Sequence, residues 1–166
     1  MEKFKKTVKE LLPYILIVLI VIIIKFFVVA PIRVNGPSME STLHDKDIMI
    51  LDEISYRFKD IKRFDIVVVK YKDEYLIKRV IGLPGEKIEY KNNKLYVNHK
   101  YLEENFSHKK TKNFKTKKIP NNKYIVLGDN RTDSIDSRII GSIDRKQIRG
   151  KTSLTIFPFN RFGHKK

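Results

Sequence analysis

Leu11 to Ala30 limits what this chain can become more than any other feature: twenty residues broken only by Lys25, with Pro13 and Tyr14 near the start. As a helix such a run extends about 30 Å, the thickness of a bilayer's hydrocarbon core, so the sequence predicts a membrane-spanning anchor over 11–30. A cleavable leader is the rival reading, and Val28-Val29-Ala30 supplies the small residue that such a cleavage site needs. Length favours an anchor that stays, because the run exceeds the roughly 7 to 15 apolar residues of a leader's central region. Pro31 points the same way, since proline restricts the backbone on both sides of its bond. Lys3, Lys5, Lys6 and Lys9 precede the run. Under the positive-inside rule they leave residues 1–10 in the cytoplasm and send 31–166 to the extracytoplasmic face. Lys25 stands close enough to the far end to snorkel to the interface.

At 166 residues the chain has room for one compact domain plus a short appendage. A formal net charge of +16 suits a nucleic-acid binder, a protein beside anionic lipid, or a strongly basic solvated surface. The anchor argues against nucleic acid, because it places the basic domain outside the cell. The absence of cysteine excludes disulfides, zinc–thiolate sites and thiol nucleophiles. Four histidines, at 44, 99, 108 and 164, show no repeated metal-ligand spacing and read as solvated surface residues. No metal and no cofactor is expected.

Beyond Pro31 the pattern changes to short β-branched runs: 48–51, 65–70, 75–81, 87–90, 94–97, 124–127 and 153–157, most separated by turn signals such as Leu83-Pro84-Gly85-Glu86 and Lys91-Asn92-Asn93. The expected fold class is mainly β, a β-rich domain over 31–166 behind a single N-terminal transmembrane helix. Ser41 to His44 and Asp144 to Ile148 each have room for one helical turn. Between residues 99 and 118 the chain is polar and lysine-rich, which predicts a solvated loop or hairpin tip, with attraction to anionic lipid or wall polymer as the functional alternative.

Three segments carry candidate chemistry. In Gly36-Pro37-Ser38-Met39 the Gly-Pro pair enforces a tight turn that would present the serine hydroxyl beside a backbone N–H; taken alone, a serine in such a turn is usually structural. A serine needs a base to become a nucleophile, and no histidine here has an acidic partner in a motif. Lysine is the remaining type. In Tyr75 to Gly82, strand alternation puts Lys78 on one face with Leu76 and Val80. An ammonium there is disfavoured by burial, and a lowered pKa would let the amine act as a base near neutral pH. The alternative is a lysine that snorkels at a strand edge. In Gly128 to Arg138, the spaced Ser134, Asp136 and Arg138 would share one side of an extended strand, a hydroxyl followed by an ion pair. A hydrogen-bonded surface loop is the competing reading.

Taken together these segments resemble the bacterial type I signal peptidases, membrane-anchored Ser/Lys serine proteases, in their compact Gram-positive form. The resemblance rests on the anchor, Gly36-Pro37-Ser38-Met39 with Thr42-Leu43, Arg63-Phe64-Asp65-Ile66-Val67-Val68, Lys78 to Glu86, and Gly128 to Arg138. It implies a signal peptidase and repressor-peptidase-like β domain that removes signal peptides of secreted preproteins after Ala-x-Ala-like sites. It also implies membrane lipid around the anchor and the secretion translocase nearby. By the same resemblance Ser38 is the nucleophile, Lys78 the general base, Ser134 the residue that orients the Lys78 amine, and Asp136 with Arg138 the supporting ion pair. The Ser38 N–H is one oxyanion donor. Gly36 lacks the side-chain hydroxyl that some relatives use as the second. Ile32, Val34, Met39, Leu43 and Ile77 are implied to line pockets for small side chains.

Two rivals define what would count against this. Self-cleaving repressor peptidases share the dyad and a related β core but carry a DNA-binding helical module where this chain has its apolar segment. A membrane-tethered basic module would leave Ser38 and Lys78 merely structural.

Overall fold

The computed structural model describes residues 2–27 and 30–165, with side chains over 8–21 and 30–165. Helix α1 covers Glu2–Phe27. The anchor expected over 11–30 falls partly outside the described residues, at 28 and 29 and in the side chains of 22–29, Lys25 included. Among the described residues no helix is long and apolar enough to cross a membrane.

The rest is mainly β, in two sheets. Strands β1 (Ala30–Arg33), β2 (Ile48–Asp52), β3 (Ile66–Tyr71), β4 (Glu74–Gly82), β9 (Lys123–Leu127), β10 (Ile143–Asp144), β11 (Ile148–Phe157) and β12 (Gly163–His164) form the larger one. Its order is β1-β2-β11-β3-β4-β9-β10, with β12 paired to β11. Strands β5 (Ile88–Lys91), β6 (Lys94–Val97), β7 (Lys100–Leu102) and β8 (Phe114–Lys115) make a small sheet ordered β7-β6-β5-β8. Each β-branched run singled out above lies in or largely within a strand. Those missed are short and poor in β formers, such as β7 and β12. Two helical turns were also unforeseen, α2 (Ser55–Phe58) and α3 (Ser137–Ile140). The turn expected at 144–148 is a 3-10 turn over Arg145–Gln147. Ser41 to His44 forms no helix, although Leu43 N–H reaches back to the Met39 carbonyl at 2.9 Å.

Three apolar clusters hold these layers. Val67, Val69, Val80, Val126 and Ile148 fill one side of the larger sheet. Ile81, Ile125 and Leu127 face the other way and join Ile88, Tyr90 and Leu95 of the small sheet. From Lys78 to Gly82 strand β4 is therefore buried on both faces, which is why strand alternation undercounts its buried residues. The third cluster, Val34, Met39, Leu43, Met49 and Ile66, underlies the segment after β1.

Lys109, Lys110, Lys112, Lys117 and Lys118 are exposed and lie outside strands, as a solvated loop requires, yet the stretch does not project freely. From Glu104 to His108 it alternates, with Glu104, Phe106 and His108 turned inward and Asn105 and Ser107 exposed. The His108 side chain is only 11% exposed and pairs with Glu104 at 3.2 Å. The expectation of solvated surface for this histidine is corrected: it is covered because the strand-like segment lies against the body instead of projecting from it.

Candidate active site

After β1 the chain turns at Gly36, whose φ of +83° is a left-handed conformation that glycine adopts without strain. The Gly36 N–H donates to Asp45 Oδ1 at 2.9 Å. Glu40 N–H closes a turn on the Pro37 carbonyl, and the N–H groups of Thr42 and Leu43 both reach the Met39 carbonyl. Met39 and Leu43 sink into the cluster below, at 1% and 0% exposure. These anchors leave Ser38 half-buried at the crest of the turn.

Lys78 comes to the same point from β4. Its Nζ donates to Ser38 Oγ at 2.8 Å and to the Ile77 carbonyl at 2.9 Å. The residue is 2% exposed. Burial pulls the amine down from 10.5 to about 8, opposed by the negative charges of Asp136 and Asp129. Among the described residues no carboxylate lies within ion-pair distance of it. The pair combines a hydroxyl with a base that shares its site with neither acid nor water-exposed surface.

The segment Gly128 to Arg138 presses on this pair from the far side. A Cβ at residue 128 would collide with the Ser38 carbonyl and the Ser134 hydroxyl, so only glycine fits. Asn130 grips the turn twice: its N–H donates to the Ser38 carbonyl at 3.1 Å and its side-chain amide to the Pro37 carbonyl at 3.1 Å. Asp136 and Arg138 form the expected ion pair, with Arg138 Nε and Nη2 on the two carboxylate oxygens at 2.8 and 2.7 Å. Hydrogen bonds from Arg138 and the Gly128 N–H hold the Asp136 carboxyl below its ordinary range, against the burial that would raise it.

Two details differ from the sequence reading. Ser134 to Arg138 is not an extended strand: Asp136 is the N-cap of α3, its side chain accepting from the Arg138 N–H. An Asp-Ser start and a glycine at 141 were the available signals. Ser134 does not bond the Lys78 amine in this structure; its hydroxyl is buried and, among the described residues, has no hydrogen-bond partner.

Sequence reasoning quoted Arg79, Thr42 and Asp129 within motifs without giving them a role. Arg79 Nε and Nη2 clasp the Asp129 carboxylate at 2.9 and 2.6 Å, with both side chains essentially inaccessible. Thr42 Oγ1 donates to the same carboxylate at 2.6 Å. This knot ties the turn, β4 and the Gly128 loop together directly behind the Ser38–Lys78 pair. Its partners stand 87 and 50 residues apart in the chain, which no local pattern reveals.

A cleft of about 660 Å³ is lined by Ile32 and Arg33 of β1, Leu76 and Ile77 of β4, and Leu51 and Val68; it reaches Ile77, the residue before Lys78, while Ser38 and Lys78 themselves are not in its lining. Four antiparallel pairings separate β1 from β4 in the sheet order, so the two strands run parallel toward the pair. Among the described residues β1 pairs on one side only, and β4 gains its second neighbour only from Arg79 onward. Two unpaired strand edges therefore border the cleft. Of the five candidate pocket residues, Ile32 and Ile77 line it. Val34, Met39 and Leu43 instead lie buried in the cluster behind, drawn there by the turn they anchor. Among the described residues no group of three or more His, Asp or Glu side chains could hold a metal ion.

A family model described as signal peptidase, peptidase S26, matches residues 6–157. Signal peptidase IB of Staphylococcus aureus is 40% identical, over 94% of this chain and 94% of its own. Signal peptidase I of Bacillus amyloliquefaciens is 39% identical, over 88% and 85%. The crystal structure of a signal peptidase I from Enterococcus faecalis V583 superposes with a TM-score of 0.51 at 34% identity, covering 56% of this chain and 97% of that one.

Proposed function

The chain belongs to the signal peptidase family, peptidase S26, serine endopeptidases that remove signal peptides, and from that premise we propose that Ser38 is its nucleophile and Lys78 its general base. The observation that carries this is the 2.8 Å contact between Lys78 Nζ and Ser38 Oγ at a lysine that burial has brought to about 8.

In the reaction the neutral Lys78 amine takes the Ser38 proton as Oγ attacks the scissile carbonyl. The resulting oxyanion meets the Ser38 N–H, which makes no hydrogen bond among the described residues. The Gly36 N–H is committed to Asp45 and does not serve as the second donor. Collapse breaks the C–N bond, and the Lys78 ammonium returns its proton to the leaving amine. Water then attacks the acyl-enzyme, giving a proton to Lys78; the ester C–O bond breaks as the Lys78 ammonium passes that proton to Ser38 Oγ, and the product acid leaves as its carboxylate. We assign Ser134, a buried hydroxyl beside Gly128 with no hydrogen-bond partner among the described residues, the part of receiving and orienting the amine during these transfers. Asp136 and Arg138 fix the backbone beneath it.

The two strand edges beside the cleft suit a substrate bound as an added strand between β1 and β4. Ile32 and Ile77 then face its small side chains, while Val34, Met39 and Leu43 stiffen the wall behind. Such shallow apolar walls accept the alanines of an Ala-x-Ala site and exclude larger residues by collision. We further read 11–30 as an anchor in membrane lipid, with the N-terminus cytoplasmic and the β domain outside near the translocase. The apolar side chains of Leu11, Leu12 and Ile15 through Val21 are about half exposed around the helix, as a span through lipid requires. In this reading nucleic acid is no partner.

The test is cleavage of an exported precursor carrying an Ala-x-Ala site by the full chain in detergent micelles. Ser38→Ala and Lys78→Ala should each lower kcat by about a thousandfold or more, with a metal chelator leaving the parent unaffected. Residual activity within tenfold of the parent in either variant would remove that residue from its role.

A further inference from the structure

The segment 103–111 leaves the small sheet and crosses to the loop that presses on Ser38. Its inward residues do not simply fill space. Glu104 Oε1 accepts from Arg131 Nη2 at 2.8 Å and from the Tyr90 hydroxyl at 2.6 Å. Thr111 Oγ1 accepts from Arg131 Nη1 at 2.6 Å. His108 Nε2 closes the other side of Glu104 at 3.2 Å. Arg131 and Glu104 are 0% and 5% exposed, so their pairing is made out of water.

Arg131 Nη1 also donates to the Tyr90 hydroxyl at 2.9 Å, and what the residue does with its Nε is the informative point. Its Nε donates to the Gly128 carbonyl at 3.1 Å. The next carbonyl, Asp129, accepts from the Lys109 N–H at 3.0 Å. Phe106 lies over the Arg79 guanidinium at 4.0 Å, covering the Arg79–Asp129 knot. Arg131, held by the strap, thus fixes the Gly128 carbonyl, and Lys109 of the strap fixes the next one, an acceptor it shares with the Arg131 N–H. The same Gly128–Asn130 backbone holds the Ser38 carbonyl through the Asn130 N–H and leaves no room for a Cβ between Gly128 and Ser38.

We propose that Glu104 is a positioning residue: with Thr111 and His108 it locks Arg131, and through Arg131 the 103–111 strap sets the height of Ser38 against Lys78. This rests on the assignment of Ser38 and Lys78 above. A strap that merely covered the small sheet would need the Tyr90 and Phe106 contacts but not the Glu104 and Thr111 grip on Arg131 or the Lys109 bond to the Asp129 carbonyl. Catalytic geometry is sensitive at this scale, since about 1 Å of misplacement costs on the order of a hundredfold in rate.

The experiment uses the full chain in detergent micelles, with an Ala-x-Ala precursor peptide as substrate and the Ser38→Ala variant as the blank. Glu104→Gln should lower kcat roughly tenfold with KM within about twofold. Thr111→Val, which removes one acceptor and preserves shape, should lower kcat roughly threefold in the same pattern. Glu104→Asp should recover part of the loss. Hydrogen exchange at the Asn130 amide should quicken in both impaired variants. Unchanged kcat in Thr111→Val and in Glu104→Gln overturns the proposal, as does a loss carried by KM alone, even if melting temperature falls. If Glu104→Gln does not fold, Thr111→Val decides. Activity surviving in Ser38→Ala would instead strike the nucleophile assignment, and the Asn130 exchange readout, which needs no turnover, would still judge the strap.

Discussion

Lys78 and Arg79 are neighbours on β4, equally buried, and treated in opposite ways. Arg79 is inserted into a carboxylate: both its bonds to Asp129 are short, Thr42 shares the acid, and the Phe64 carbonyl takes another N–H at 3.0 Å. Lys78 meets only a hydroxyl and a carbonyl, with its nearest acids, Asp136 and Asp129, acting from a distance. The cost of burial is thus offset for one cation and left standing for the other. Arginine remains protonated in proteins, so pairing makes it a fixed strut. Lysine in the same seclusion loses its proton readily and becomes a base. Strand pleat accounts for the separation, since adjacent residues point to opposite faces. One face looks onto the Ser38 turn, the other onto the Asp129 knot.

The largest effect should come from breaking the strut. Asp129→Ala removes the carboxylate that both Arg79 donors clasp, which is expected to cost about 3–5 kcal/mol in denaturant unfolding of the full chain in micelles. A combined Arg79→Met and Asp129→Leu variant should recover most of that loss, because an apolar pair needs no compensation. A cost below about 1 kcal/mol for Asp129→Ala would mean that the knot is not what distinguishes the two cations.

That contrast also shows where the sequence could be read and where it could not. The serine turn was legible because Gly36 and Pro37 fix it locally, and the lysine because Leu76 and Val80 flank it at strand spacing. The strands at 66–71, 74–82 and 123–127 announced themselves through β-branched runs. Arg79 was not legible as a strut, since its burial depends on an acid 50 residues away and on a small sheet that covers a second face of β4. The 103–111 strap was hidden by its lysines. Glu104, Phe106 and His108 do alternate at strand period, yet the exposed lysines that follow dominate the composition. Ser134 to Arg138 was misread because period-two spacing was given more weight than the Asp–Ser cap and the glycine stop of α3. The family resemblance supplied roles that geometry alone does not assign, and of its five pocket candidates the cleft is lined by Ile32 and Ile77, which pack against Val34, Met39 and Leu43.

A smaller effect sharpens the view of Lys78 as the base. Only the neutral amine accepts the Ser38 proton, so kcat/KM should rise about tenfold per pH unit well below 8, about fiftyfold between pH 6 and 8, and level off above pH 9 close to a hundredfold over its pH 6 value. The direction is fixed by burial, which lowers this amine from 10.5; a pair held charged by an adjacent acid would place the rise well above pH 10. A profile flat from pH 6 to 9 would detach the rate from Lys78.

The smallest expected effect reverses the usual sign of a core substitution. Lys78 binds its proton more weakly in the folded chain, at about 8, than in the unfolded chain at 10.5. Below pH 8 the folded state therefore carries the full penalty of a secluded ammonium, on the order of 3 kcal/mol for such a difference. Between pH 8 and 10.5 the unfolded chain holds more protons, so the parent's stability rises with pH, and above that range the penalty is gone. Lys78→Met fills similar volume without charge but gives up the bonds to Ser38 and Ile77, worth roughly 1 kcal/mol together. The variant should be inactive and yet more stable than the parent by about 1–2 kcal/mol at pH 7, with the advantage shrinking steadily toward pH 10. Unfolding curves at several pH values measure this directly. An unchanging difference would show that Lys78 is paired as thoroughly as Arg79, and the two neighbours would no longer be opposites.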